Sequence, residues 1–134
     1  MAKIKYIRCD IYKRGIDIFI GTPEELQKWS KKTFNEDKDD EEFNRGLEEC
    51  SYGAADFHYG NGYAVVRIPE FPENPTDTAA LVHELFHATA WLLWYSGVEF
   101  DNRNVNNEAY TYLLEHLTRN ALETEGYEEV NFSE

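Results

Sequence analysis

Three residues in the middle of the chain have the types and spacing for metal-assisted hydrolysis. They are His83, Glu84 and His87, in the run His83-Glu84-Leu85-Phe86-His87. On a helix, residues i and i+4 stand one turn apart on the same face, so two imidazoles can reach one ion. Glu84 is displaced about 100° around the helix from His83. There it lies off the ion's inner shell but within reach of a water beside it. The HExxH pattern thus supplies two nitrogen ligands and one base. Nitrogen and carboxylate ligands with an open fourth position suit zinc before other metals, with one ion per chain. The plain alternative is a pair of core histidines bonded to backbone, with Glu84 at a solvent edge.

The helix around the motif is apolar nearly all round, from Ala79-Ala80-Leu81-Val82 to Trp91-Leu92-Leu93-Trp94. Such a helix is expected in the core, with Trp91 and Trp94 packed there. Two histidines and a glutamate buried in it would need partners, because an unpaired buried charge is costly. A zinc site also needs a third protein ligand. Glu108, in Asn107-Glu108-Ala109-Tyr110, lies 21 residues after His87, which allows a helix end, a loop and a return on a second helix. On a helical wheel it sits opposite Leu113 and Leu117, where a solvated carboxylate would also sit. Glu115 and His116 are fallback ligands.

HExxH followed by Asn-Glu-Ala near the start of the next helix resembles the gluzincin group of zincin metallopeptidases. The match covers about residues 63–117, with Tyr110, Leu113, Leu114 and Leu117 resembling the family's glutamate helix. It looks most like compact, single-domain members such as small phage or prophage zincin-like proteins. The resemblance implies His83, His87 and Glu108 as zinc ligands and Glu84 as general base and proton shuttle. It also implies an edge strand before the active helix that holds an extended peptide, and Tyr63–Ile68 occupies that place. The chain departs from larger gluzincins in two ways. Where they often carry an Asp four residues after the glutamate, this chain has Tyr112. The His or Tyr that steadies an oxyanion in their second domain has no counterpart here.

The elements that must position these residues can be read in part. Lys3 to Cys9 alternates, and Ile16 to Ile20 is β-branched and aromatic, so an N-terminal strand pair with a turn at Arg14-Gly15 is expected. Thr22-Pro23-Glu24-Glu25 opens a helix to about Lys32. Phe43, Leu47 and Cys50 could line a short helix. Ala54 to Tyr59 and Tyr63 to Ile68 flank Asn61-Gly62, a strong hairpin signal. Pro69, Pro72 and Pro75 keep the next segment extended. The motif helix then opens near Pro75 and runs to about Ser96, where Gly97 stops it. A last helix, capped by Asn106 or Asn107, runs to about Glu123 with Tyr110, Leu113, Leu114, Leu117 and Ala121 on one stripe. The order ββα(α)ββαα indicates an α+β fold, a small mixed sheet packed on the motif helix and the glutamate helix, in one domain.

Composition narrows the function further. With 13 basic and 26 acidic residues in 134, the net charge is −13, which counts against general nucleic-acid or anionic-membrane binding. Residues 1–32 carry +4 and residues 33–134 carry −17. Cys9 and Cys50 are too few for a disulfide framework, and the first residues lack the apolar core of a signal peptide, so a cytoplasmic setting is expected. The acidic run 36–42 reads as a solvated loop. His58, on a strand, reads as a surface or packed histidine. The leading expectation is a zinc-dependent hydrolase acting on a peptide or protein. The alternatives are a zinc-stabilised binding module without turnover and an acidic DNA-mimic inhibitor.

Overall fold

Lys3–Cys9 and Arg14–Ile20 pair as antiparallel strands β1 and β2 in the computed structural model, which describes residues 1–34, 54–100 and 105–132. The turn falls at residues 10–13 rather than at Arg14-Gly15, since Arg14 already pairs with Cys9 and Gly15 with Arg8. Gly15 belongs to the strand because Tyr6 packs over it. A Cβ there would stand 2.5 Å from the Tyr6 ring. Lys13, at φ 54°, takes the left-handed turn position instead.

Helix α1 spans Pro23–Phe34 and starts as its sequence indicates. Thr22 Oγ1 accepts from the Glu25 N–H at 3.1 Å, and Glu25 Oε1 accepts from the Thr22 N–H at 3.0 Å, a reciprocal capping box. The short helix expected around Phe43, Leu47 and Cys50, and the acidic run, lie outside the described residues. Strands β3 (Ala55–His58) and β4 (Ala64–Ile68) form the expected antiparallel hairpin. Its loop is a 3₁₀ turn with Asn61 at φ 65° and Gly62 at φ 73°. A Cβ on Gly62 would also come within 3.0 Å of Tyr95, so conformation and space both require glycine there.

The strand order is β3-β4-β2-β1-β5, where β5 is the two-residue strand Glu128–Glu129. β5 is too short to carry an alternation that could be read in advance. β2 and β4 run parallel and the other pairs antiparallel, so the sheet is mixed. This corrects the expected edge: Tyr63–Ile68 is not one. β4 lies between β3 and β2, and among the described residues the edge strand beside the site is β3. The Asn-Gly turn specified the hairpin, but which partner β2 took was a tertiary choice.

Helix α2 spans Pro75–Tyr95, with Asn74 as N-cap accepting from the Asp77 N–H at 2.9 Å. It ends in a Schellman motif: Gly97, at φ 84°, donates to Trp94 and Val98 donates to Leu93. Helix α3 spans Val105–Leu122, one to two residues ahead of the expected asparagine caps. Ile16, Ile18, Ala64 and Val66 on one sheet face pack with Leu81, Leu85 and Ala88 of α2 and Leu117 of α3. On the other face Phe19 and Val65 pack with Leu26 and Trp29 of α1. Lys5 crosses from β1 to the end of α3, where Nζ donates to the carbonyls of Asn120 (2.6 Å) and Glu123 (3.1 Å). That contact satisfies orphan acceptors at the negative end of the helix dipole. The fold is α+β, a five-stranded mixed sheet with three helices among the described residues. None of the helices described is long and apolar enough to cross a membrane.

Candidate functional site

His83 and His87 are exposed, not buried as the apolar run around them suggests. The buried side of α2 is carried by Leu81, Leu85, Ala88 and Leu92. The opposite side is also rich in large side chains: Phe86 is exposed, and Trp94, expected in the core, is 60% exposed. Composition therefore concealed an open face. On that face the two imidazoles converge, with Nε2 of His83 and Nε2 of His87 3.2 Å apart. For a tetrahedral ion with Zn–N bonds of about 2.0–2.1 Å, two nitrogen ligands stand roughly 3.3–3.4 Å apart. The pair fits one side of a zinc site in spacing and in donor chemistry.

Glu84 turns the other way and is buried. It hydrogen-bonds Asp56 of β3, which also pairs with His58 at 2.6 Å between Oδ2 and Nε2. Two carboxyl groups can bond only through a shared proton. Burial alone would push Asp56 up. The hydrogen bonds from His58 and Glu84, with the charges of His58 and His87, hold it down at about 2. Asp56 was not foreseen. Its signal was present: Asp56 and His58 are two apart on a strand and so share a face.

Trp91 fixes this strand against α2. It lies four residues beyond His87, on the same helix face, and its Nε1 donates to the carbonyls of Tyr59 (3.0 Å) and Tyr63 (3.1 Å). Both carbonyls belong to the hairpin loop, so the indole clamps the loop to the helix. Arg14 adds a second tie, donating to the Asn61 carbonyl at 2.6 Å and to Ser96 Oγ at 3.1 Å. The imidazole of His58 stacks on Trp91, centroids 4.9 Å apart and planes within 9°. Beside the histidines runs an open groove of about 600 Å³, walled by Phe86, Ala90, Trp91, Trp94, Phe100 and Tyr110, with His58 and His87 as its polar members.

The three candidate third ligands stand apart from the pair. Glu108 is exposed in the first turn of α3. Glu115 faces Arg119 at 3.4 Å on the same helix. His116 is turned toward the end of β1, where Nε2 donates to the Arg8 carbonyl at 3.0 Å while Nδ1 accepts from Asn120. Among the described residues no three His, Cys, Asp or Glu side chains stand close enough together to hold an ion. The structure thus brings His83 and His87 together, gives Glu84 a partner in Asp56, and leaves Glu108 outside the cluster. Cys9 is a buried free thiol, and Cys50 lies outside the described residues. Comparison with protein-family models, curated proteins and solved structures gives no match to this chain.

Proposed function

We propose that this protein is a zinc-dependent hydrolase of the compact zincin type, acting on peptide bonds. The observation that carries the reading is the convergence of His83 and His87, Nε2 to Nε2 at 3.2 Å, on the open side of a helix whose next residue, Glu84, is buried against the neighbouring strand. His83 and His87 would hold the ion, with Glu108 as third ligand on the strength of its Asn-Glu-Ala context and its place at the start of the helix packed on α2. Zinc, when bound, polarises a carbonyl and lowers the pKa of a water. Glu84 would be the base and proton shuttle of such a site, which requires its carboxylate to give up the proton it shares with Asp56 and to turn toward the ion. The side of β3 that pairs with no described strand, rather than β4, would offer backbone groups to an extended peptide.

Elemental analysis of the purified protein tests the metal, and Glu84→Gln tests the chemistry. One zinc per chain is expected, lost with His83→Ala or His87→Ala. Glu108→Ala should weaken zinc far more than Glu115→Ala or His116→Ala; the reverse order would move the third ligand. Glu84→Gln should keep the zinc and lower hydrolysis of unfolded protein by about 10²–10⁴-fold. Protein without zinc, unaffected by adding it, would overturn the metal reading. The exposed position of Glu108 favours a second reading, a zinc-stabilised module that binds peptide without turnover. Zinc-loaded protein that binds an extended peptide but cleaves nothing in a broad library would select it.

A further inference from the structure

We infer that the aromatic groove along α2 is a docking surface for a basic segment of another protein, with an arginine side chain of that segment laid on Trp94. The inference needs neither metal nor turnover, so it goes beyond the hydrolase reading and does not depend on it. It starts from what α2 exposes. Phe86, Ala90 and Trp94 stand four residues apart and so share one row of the helix. Phe86 and Trp94 are exposed, and so is Phe100 beyond the end of the helix. Single exposed apolar side chains are ordinary. A run of them lining an open groove of about 600 Å³ marks an interaction surface.

The rings are ordered before a partner arrives. Trp94 stacks on Trp91, centroids 5.5 Å apart and planes within 20°, and Trp91 is fixed by the carbonyls of Tyr59 and Tyr63. Phe100 meets Tyr110 edge to face at 5.1 Å, and the Tyr110 hydroxyl donates to the Val98 carbonyl at 2.7 Å. Trp94 rests one face on Trp91 and is still 60% exposed, so its other face is open to solvent. Anchors already held in place lose little conformational entropy on binding. The groove also receives the end of β3, at His58. A segment laid along the side of β3 that pairs with no described strand would send alternate side chains one way, toward these rings.

Charge selects the occupant. A second copy of this chain is disfavoured, because two chains of net charge −13 repel. Helix α2 carries Asp77 and Glu84 but neither lysine nor arginine, and among the described residues none lines the groove. On the β3 side Asp56, held at about 2 against burial by its hydrogen bonds, is ionised and acts on both His58 and His87, the groove members able to carry positive charge. On the α3 side the Tyr110 phenol is pushed up by burial and then by the charge of Glu99. Carboxylates thus flank rings whose negative faces attract a cation, tryptophan most strongly. The molecule makes the same contact next door, where the guanidinium of Arg14 lies over Tyr95, 5.1 Å from the ring centroid. Arginine suits the site better than lysine, since its flat, weakly hydrated guanidinium stacks on a ring.

The test is calorimetry on the full chain carrying Glu84→Gln, so that binding is read whether or not wild type cleaves peptide. Two probes are compared: a blocked hexapeptide alternating arginine and leucine, and the same peptide with citrulline, which keeps the shape of arginine and loses its charge. The arginine peptide is expected to bind about tenfold tighter. Trp94→Leu keeps apolar bulk and removes the ring face. It should weaken the arginine peptide by about tenfold and the citrulline peptide by less than about two-fold. Trp94→Phe, with a smaller ring, should keep part of the affinity and also covers failure of the leucine variant to fold. Tyr112→Leu, at an exposed tyrosine outside the groove, should change neither. Equal affinity for the two peptides overturns the inference, and so does binding of neither. An arginine peptide indifferent to Trp94→Leu is held by acidic surface elsewhere and overturns it too. Equal weakening of both peptides by Trp94→Leu makes the groove a purely apolar one and overturns the choice of a cation. Binding as expected, with wild type that hydrolyses nothing, supports the inference and counts against the hydrolase reading alone.

Discussion

Asp17 and Asp56 lie on opposite faces of one sheet and are driven in opposite directions. Asp17, on the α1 face, accepts from the Tyr63 hydroxyl. Burial raises its pKa, and the one hydrogen bond from Tyr63 does not reverse that. Tyr63 is in turn driven well above the usual phenol range, by burial first and then by the charge of Asp17. Asp56, on the α2 face, is also partly buried, yet it is held at about 2. Its partners are an imidazole, a carboxyl group and a second imidazole nearby. Burial pushes both upward, and the kind of partner decides whether that push is reversed. The α1 face seals a carboxylate in with neutral groups. The α2 face keeps one ionised beside the histidine pair, where a fixed charge can orient others.

Removing the better-served carboxylate should do the most harm. Asp56→Ala leaves Glu84 and His58 without it and is expected to cost about 1–3 kcal/mol at pH 7. Urea unfolding would show this as a lower midpoint with an unchanged slope. No shift in the midpoint would mean that the cluster is held by something other than Asp56.

The acid limb sharpens the contrast. The pKa of Asp56 falls from 3.8 to about 2 on folding, so the stability it contributes is complete above 3.8 and is lost as pH drops through 2. The wild-type stability curve should therefore fall more steeply between those values than that of Asp56→Asn. Parallel curves would remove Asp56 from the account.

The smallest effect, of opposite sign, belongs to Asp17. Its folded pKa is raised above 3.8, so its ionisation costs stability once the pH passes that value. Asp17→Asn keeps an acceptor for Tyr63 and removes the charge. A gain of less than about 1 kcal/mol is expected at pH 7, fading to nothing in acid below the ordinary aspartate range. Destabilisation at pH 7 would show that Asp17 has a cationic partner after all.

What could be read in advance was mostly local. Thr22, Pro23 and Glu25 wrote the start of α1, Asn61-Gly62 wrote the β3–β4 turn, and Gly97 wrote the end of α2, because each acts through backbone geometry within a few residues. The Tyr110–Ala121 stripe of α3 was equally legible, and its Tyr110, Leu113, Leu117 and Ala121 are buried. The misreadings were of another kind. Gly15 looked like a turn but makes room for Tyr6 across the strand pair. Trp94 looked like core but is exposed. In both cases the deciding neighbour is distant in sequence or lies on another element.

The same division runs through the site. The sequence by itself determined the pairing of His83 with His87, since the helix repeat brings residues i and i+4 together wherever the helix lies. It also placed Glu84 about 100° around the helix from His83. Only the tertiary structure decided that the histidine side of α2 is open, that β3 rather than β4 is the edge, and that Asp56 meets Glu84 and His58. The reason is physical. A helix carries its own hydrogen bonds and so its own geometry, whereas the side it buries and the strand it meets depend on where other segments dock. Trp91, bonded to the carbonyls of Tyr59 and Tyr63, makes that docking here, across roughly thirty residues of chain that no local rule connects.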